Sequence, residues 1–145
     1  MARARDRHRA REAALQILYQ WEVGRTDLES AIETLFGLQW PGAAPPPDAV
    51  RLFASELARD TVSRLATVDA LITETAERWR PERMALVDRL VLRLAICELL
   101  RDTATPPAVV INEALELART FSTEDAVKFI NGMLDGVRKK LELRH

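Results

Sequence analysis

The residues able to do chemistry in this chain are few in kind, and arginine dominates them. Arg3, Arg5, Arg7, Arg9 and Arg11 stand at alternate positions with only Asp6 against them, a local balance of +4. Residues 138–145 carry Arg138, Lys139, Lys140 and Arg144 against Glu142, a balance of +3. The whole chain has a net charge of −1, which leaves −8 on the residues between. Two basic ends on an acidic body suit an anionic partner for the ends and a basic partner for the body. Charge alone reports only non-specific attraction, so solvated ends account for the pattern equally well.

Catalytic groups are poorly represented. His8 and His145 both lie at the termini, where they make neither a histidine metal site nor a buried base, and no HExxH or paired-cysteine spacing occurs. Glycines do not fall in a Walker or dinucleotide pattern. Glu113, Glu116, Asp125 and Asp135 supply carboxylates, but solvated or ion-paired faces explain them without acid–base chemistry. Cys97, the single cysteine, falls in the most apolar stretch and reads as a small core residue before a nucleophile. The sequence therefore predicts no enzyme, no metal and no cofactor. One cysteine permits no intrachain disulfide, which fits a reducing compartment. No apolar run after the arginines reads as a signal peptide, and none is long enough to span a membrane, so a cytoplasmic protein is expected.

These residues must be positioned by helices. With 145 residues, 48% hydrophobic, 30% charged and only 5 glycines, the chain reads as one all-α domain of about seven helices. Its N-terminal half is placed at about 1–79 and its C-terminal half at about 80–145. The first helix is expected from about Arg5 to Glu22, with Arg3, Arg7 and Arg11 on one face and Arg5 and Arg9 on another. A helix capped by Thr26 or Asp27 runs to about Leu38. Trp40 to Pro47 holds four prolines in eight residues, a stiff connector. Asp48 opens a helix to about Leu65, a break falls near Thr67, and another helix reaches about Trp79. The span from about Glu82 to Asp102 is apolar almost all round, so it should be buried on most sides, with Asp88, Arg89, Arg93 and Glu98 at its edges or paired with neighbours.

The last two helices carry the least ordinary residues. Val110, Ala114, Leu117, Ala118 and Phe121 make one stripe at helical spacing, and Val127, Ile130, Met133, Leu134, Val137 and Leu141 make a second. Between them Ser122 is placed to cap the second helix, with Asp125 reaching back in a capping box. Gly132 and Gly136 are expected to let helices approach closely, and Asn112 and Asn131 to hydrogen-bond a neighbouring helix end or loop.

Val110-Ile111-Asn112-Glu113-Ala114-Leu115-Glu116-Leu117-Ala118, followed by Phe129-Ile130-Asn131-Gly132-Met133-Leu134-Asp135, resembles the C-terminal signature of the NusB family of transcription antitermination factors. Arg9-Ala10-Arg11-Glu12-Ala13-Ala14-Leu15-Gln16 with Tyr19 and Trp21 resembles the family's first helix. Asp88-Arg89 through Leu92-Arg93-Leu94-Ala95 with Glu98-Leu99 resembles its central one. The resemblance spans nearly the whole chain, and the pieces occur in order.

It implies two packed helical bundles, no catalysis, and transcription antitermination. In the family, NusB pairs with the small-subunit ribosomal protein NusE. The pair binds the boxA RNA of ribosomal RNA leaders, acting indirectly with other Nus factors on RNA polymerase; family members occur as monomers and as homodimers. Arg7 and Arg9 stand where the family's basic cluster contacts RNA, Arg5 lies beside them, and His8 replaces a further basic residue. Phe121 and Phe129 resemble the aromatics near the RNA path, on which a base can stack. Asp125 would moderate affinity there, and Lys128 belongs to the same candidate surface. Tyr19, Trp21, Glu82 and Asp88 match the NusE-facing side. Phe121 and Trp21 also read as core residues. Alternatives are a helical protein-interaction module without RNA binding, and the RNA-binding domain of a ribosomal RNA cytosine methyltransferase lacking its catalytic domain. The absence of methyltransferase motifs favours a stand-alone factor.

Overall fold

In the computed structural model, which describes residues 4–76, 83–101 and 105–143, the apolar stripes lie on seven helices, with no strand among the described residues. They gather into two compact units, Met1–Val62 and Ser63–His145.

The first unit holds α1 (Ala4–Val23), α2 (Leu28–Gly37) and α3 (Asp48–Ser63). Helix α1 buries Ala10, Ala13, Ala14, Ile17 and Leu18 and packs on α2. Asp27 is the residue that caps α2, its carboxylate accepting from the Ser30 N–H at 3.3 Å, the usual answer to an orphan donor at a helix start. Arg59 of α3 chelates Glu29 of α2 through Nε at 2.9 Å and Nη2 at 2.7 Å. The hydrogen bond from Arg59 holds the Glu29 carboxyl below its ordinary range. Near the end of α3 the Thr61 hydroxyl donates to the Leu57 carbonyl at 2.7 Å, a side-chain bond that weakens a helix ladder. The chain breaks at Arg64, a few residues before the expected position near Thr67.

The second unit holds α4 (Leu65–Ala76), α5 (Leu86–Leu100), α6 (Pro107–Phe121) and α7 (Glu124–Leu143). Helix α4, assigned from the sequence to the N-terminal half, packs on α5 and α7. The expected helix limits at Trp79, Glu82 and Asp102 lie outside the described residues. Helix α5 is the centre of this unit: residues 90–98 are all buried, and α4, α6 and α7 pack around it. Arg93 is buried with them and grips Asp69 of α4 through Nε at 2.9 Å and Nη2 at 2.8 Å, as expected of a charge on so apolar a helix. Cys97 is fully buried.

Helices α6 and α7 bury the predicted stripes with two exceptions at their ends, the exposed Phe121 and the half-buried Leu141. The turn between them departs from the expected capping box. Thr123, not Ser122, caps α7, its hydroxyl accepting from the Ala126 N–H at 3.1 Å. Ser122 ends α6, its N–H bonded to the Ala118 carbonyl, and its Oγ donates to Asp88 Oδ1 of α5 at 2.5 Å. Tertiary bonding thus takes the first hydroxyl and leaves the second for the cap.

The two glycines of α7 also separate. A Cβ on Gly136 would stand 2.8 Å from Thr75 Cγ2 of α4, so this glycine permits a close helix approach, whereas a Cβ on Gly132 meets nothing within 4 Å. Close packing therefore does not explain Gly132. Gly132→Ala should raise stability by about 0.5–1 kcal/mol through helix propensity alone, read as a higher urea midpoint at unchanged m. Gly136→Ala should show no such gain. A destabilised Gly132→Ala would mean that the site is not open.

Candidate nucleic-acid interface

The arginine row occupies the first turns of α1, and the first unit's aromatic residues sort its members. Arg7 and Arg11 share a face, as helical spacing requires, and both guanidinium groups lie over the Phe53 ring, at 5.1 and 5.2 Å from its centroid. Arg11 is only 3% exposed and is part of the core. Arg9, on a different face, lies over the Trp40 ring at 5.1 Å. Arg5 is exposed. Arg3 lies outside the described residues. His8 Nε2 is 3.2 Å from Glu12 Oε1 one turn on, so when protonated it is drawn toward an acid.

Contacts of this kind orient arginine without cancelling its charge, because a ring face offers attraction but no negative ion. Among the described residues Arg9 has no carboxylate partner. A charged, oriented guanidinium with spare donors is suited to a phosphate. Sequence reasoning found the arginines and the shared face of Arg7 and Arg11 but missed the contacts of Trp40 and Phe53 with them. Their role follows from tertiary packing alone, since Trp40 stands in the proline-rich connector and Phe53 on α3.

Further along α1, Tyr19 is 45% exposed and borders a shallow groove with Gln16, Gln20, Leu35 and Gln39. Trp21 is half-buried. Glu82, the third residue expected on the protein-facing side, lies outside the described residues.

In the second unit the turn between α6 and α7 faces the start of α5. Arg83, Met84, Ala85 and Asp88 on one side and Thr123, Asp125, Ala126 and Phe129 on the other line a mostly apolar cleft of about 320 Å³. Two residues expected on RNA, Asp125 and Phe129, thus meet Asp88, expected on the protein partner. Phe129 is half-buried against the cleft. Phe121 is 40% exposed, which removes it from the core and leaves its ring available for stacking. Lys128 and Asp125 are exposed. Asp125 adds a negative charge to the first turn of α7, favourable to the helix dipole and unfavourable to a nearby phosphate.

Asn112 and Asn131 do not do what their types suggested. Both are exposed and line a groove of about 370 Å³ between α6 and α7 with Gly132, Asp135 and Arg138. Among the described residues neither carboxamide forms a hydrogen bond. They stand off the buried stripes, so their side chains meet solvent rather than a helix end. Among the described residues no group of three or more His, Cys, Asp or Glu could hold a metal ion, and no helix is long and apolar enough to cross a membrane.

Residues 8–139 match the NusB family. The transcription antitermination protein NusB of Solibacter usitatus (strain Ellin6076) is 47% identical over 136 residues, spanning 94% of this chain and 90% of that protein. The structure of T. maritima NusB is 35% identical and superposes with a TM-score of 0.81 over 97% of this chain and 94% of that one. A chain in the crystal structure of the antitermination factors NusB and NusE with double-stranded RNA has the same fold, with a TM-score of 0.82 at 23% identity, over 95% of this chain and 99% of that one. A family match over residues 8–139 and 47% identity over nearly the whole of a relative agree that the chain belongs to the NusB family.

Proposed function

We propose that this protein is a cytoplasmic transcription antitermination factor that binds boxA RNA of ribosomal RNA leaders together with the ribosomal protein NusE. RNA lies on Arg5, Arg7, His8 and Arg9 of the first unit and on Phe121, Lys128 and Phe129 of the second, with Asp125 as a moderating charge. NusE docks on Tyr19, Trp21, Glu82 and Asp88; contact with other Nus factors and RNA polymerase is indirect. No catalytic step is part of this reading. The observation that carries it is Arg9, a cation held over a neutral ring and without a carboxylate partner among the described residues. A relative of the same fold in complex with NusE and double-stranded RNA supplies the partner classes.

The test is a titration of labelled boxA RNA at several salt concentrations, with and without NusE. Arg9→Ala should weaken binding about tenfold at low salt and reduce the logarithmic salt slope by about 1, the signature of one lost phosphate contact. Thermal stability should fall by no more than about 2 kcal/mol, the upper worth of a half-buried cation–π contact. NusE should tighten binding of the wild-type protein. An unchanged salt slope would remove Arg9 from the RNA surface.

A further inference from the structure

Trp40 has no role in the reading above, yet the structure places it under the one arginine that carries that reading. Its ring lies 5.1 Å from the Arg9 guanidinium and 5.6 Å, tilted by 39°, from the Phe36 ring at the end of α2. The residues on either side are constrained. Gln39 Oε1 accepts from Gln20 Nε2 of α1 at 2.5 Å, and Pro41 restricts the preceding residue to extended conformations. Trp40 is therefore held against α2 by the Phe36 ring, with its neighbour Gln39 tied to α1 and Pro41 stiffening the chain beyond, in a connector whose other residues are mostly exposed.

We propose that Trp40 is a positioning residue for RNA binding: it holds the Arg9 side chain in the orientation in which it meets phosphate. The proposal rests on the reading of Arg9 as an RNA contact. Arginine is costly to immobilise because its side chain has many rotamers, and a partner that fixes it before binding spares that cost at the moment of binding. A carboxylate would fix it equally well but would also neutralise it. Tryptophan is the ring with the strongest cation–π attraction, and it leaves the guanidinium edge and its N–H donors free. The stiff, proline-rich connector thereby gains a function beyond spanning two helices.

The experiment uses the full chain and boxA RNA. Trp40→Leu keeps an apolar side chain against Phe36 but removes the ring face, while Trp40→Tyr keeps a face. Trp40→Leu should weaken RNA binding about two- to tenfold and leave the salt slope unchanged, because the charge of Arg9 remains. Trp40→Tyr should restore most of the affinity. In an Arg9→Ala background Trp40→Leu should have no further effect. The Arg9 Nε–H resonance should be shifted upfield by the indole ring in the wild type and lose that shift in Trp40→Leu. Equal losses from Trp40→Leu with and without Arg9 would make Trp40 merely structural and overturn the proposal, as would tighter binding by Trp40→Leu. If Arg9→Ala weakens RNA binding and Trp40→Leu does not, the proposal alone fails. If Arg9→Ala leaves binding unchanged, the reading on which the proposal stands fails with it.

Discussion

Asp69→Ala should cost the fold about 3 kcal/mol and lower the melting temperature by roughly 6–12 °C, the largest stability effect expected of any single charge among the described residues. The Arg93 side chain is 8% exposed and that of Asp69 29% exposed, so little water replaces the carboxylate when it is removed. A guanidinium that loses this bidentate partner inside a helix bundle retains the cost of leaving water and loses much of the attraction that offset it. The pair joins α4 to α5, which makes the loss cooperative with the packing of α4. Thermal and urea unfolding measure it directly. Arg93→Met combined with Asp69→Leu should recover most of the stability, since apolar replacements of similar size spare both desolvation costs. A single mutant within 1 kcal/mol of wild type would mean that the adjoining cleft, lined by Ala66, Ala70, Thr73 and Glu74 among others, hydrates Arg93 well enough to make the pair dispensable.

What the sequence revealed and what it hid divide along physical lines. The stripes of α6 and α7 were legible because helical period is a local property and burial follows it, from Val110 to Ala118 and from Val127 to Val137. The cap of α2 was legible only as Thr26 or Asp27, and the bond from the Ser30 N–H selects Asp27. The capping of α7 was not, because Ser122 and Thr123 are locally equivalent and only the bond from Ser122 to Asp88 of α5 distinguishes them. Gly132 and Gly136 likewise look alike in sequence; Thr75 across the helix interface makes one a contact and leaves the other open. The shared face of Arg7 and Arg11 and the separate face of Arg9 were legible, but the burial of Arg11 depends on Phe53 and the orientation of Arg9 on Trp40. At the candidate site, residue types and periodicity named the charged groups. Long-range packing decided which of them is held, buried or free to meet a partner.

Asp88 shows that division in a single residue, and its substitution should have the largest effect on partner binding. Its carboxylate has a structural task, accepting from Ser122 and standing in the first turn of α5, and a proposed task in meeting a basic ribosomal protein. Asp88→Lys should weaken association with NusE about a hundredfold, because a reversed charge opposes a complementary surface as well as failing to attract it. That variant also breaks the Ser122 bond, so it cannot separate the two tasks alone. Asp88→Asn can, since its carboxamide oxygen still accepts from Ser122 while the charge is gone. It should cost the fold only about 0.3–1 kcal/mol of dipole interaction and weaken association about tenfold. Ser122→Ala provides the converse: the charge stays and the bond goes, so stability should fall by about 1.5–3 kcal/mol, as for a hydrogen bond to a charged group, with association nearly unchanged. Calorimetric titration with NusE, alongside urea unfolding of each variant, reads both quantities. If Asp88→Asn binds NusE as the wild type does while Ser122→Ala is destabilised, Asp88 serves only the turn between α6 and α7, and the protein partner must dock elsewhere.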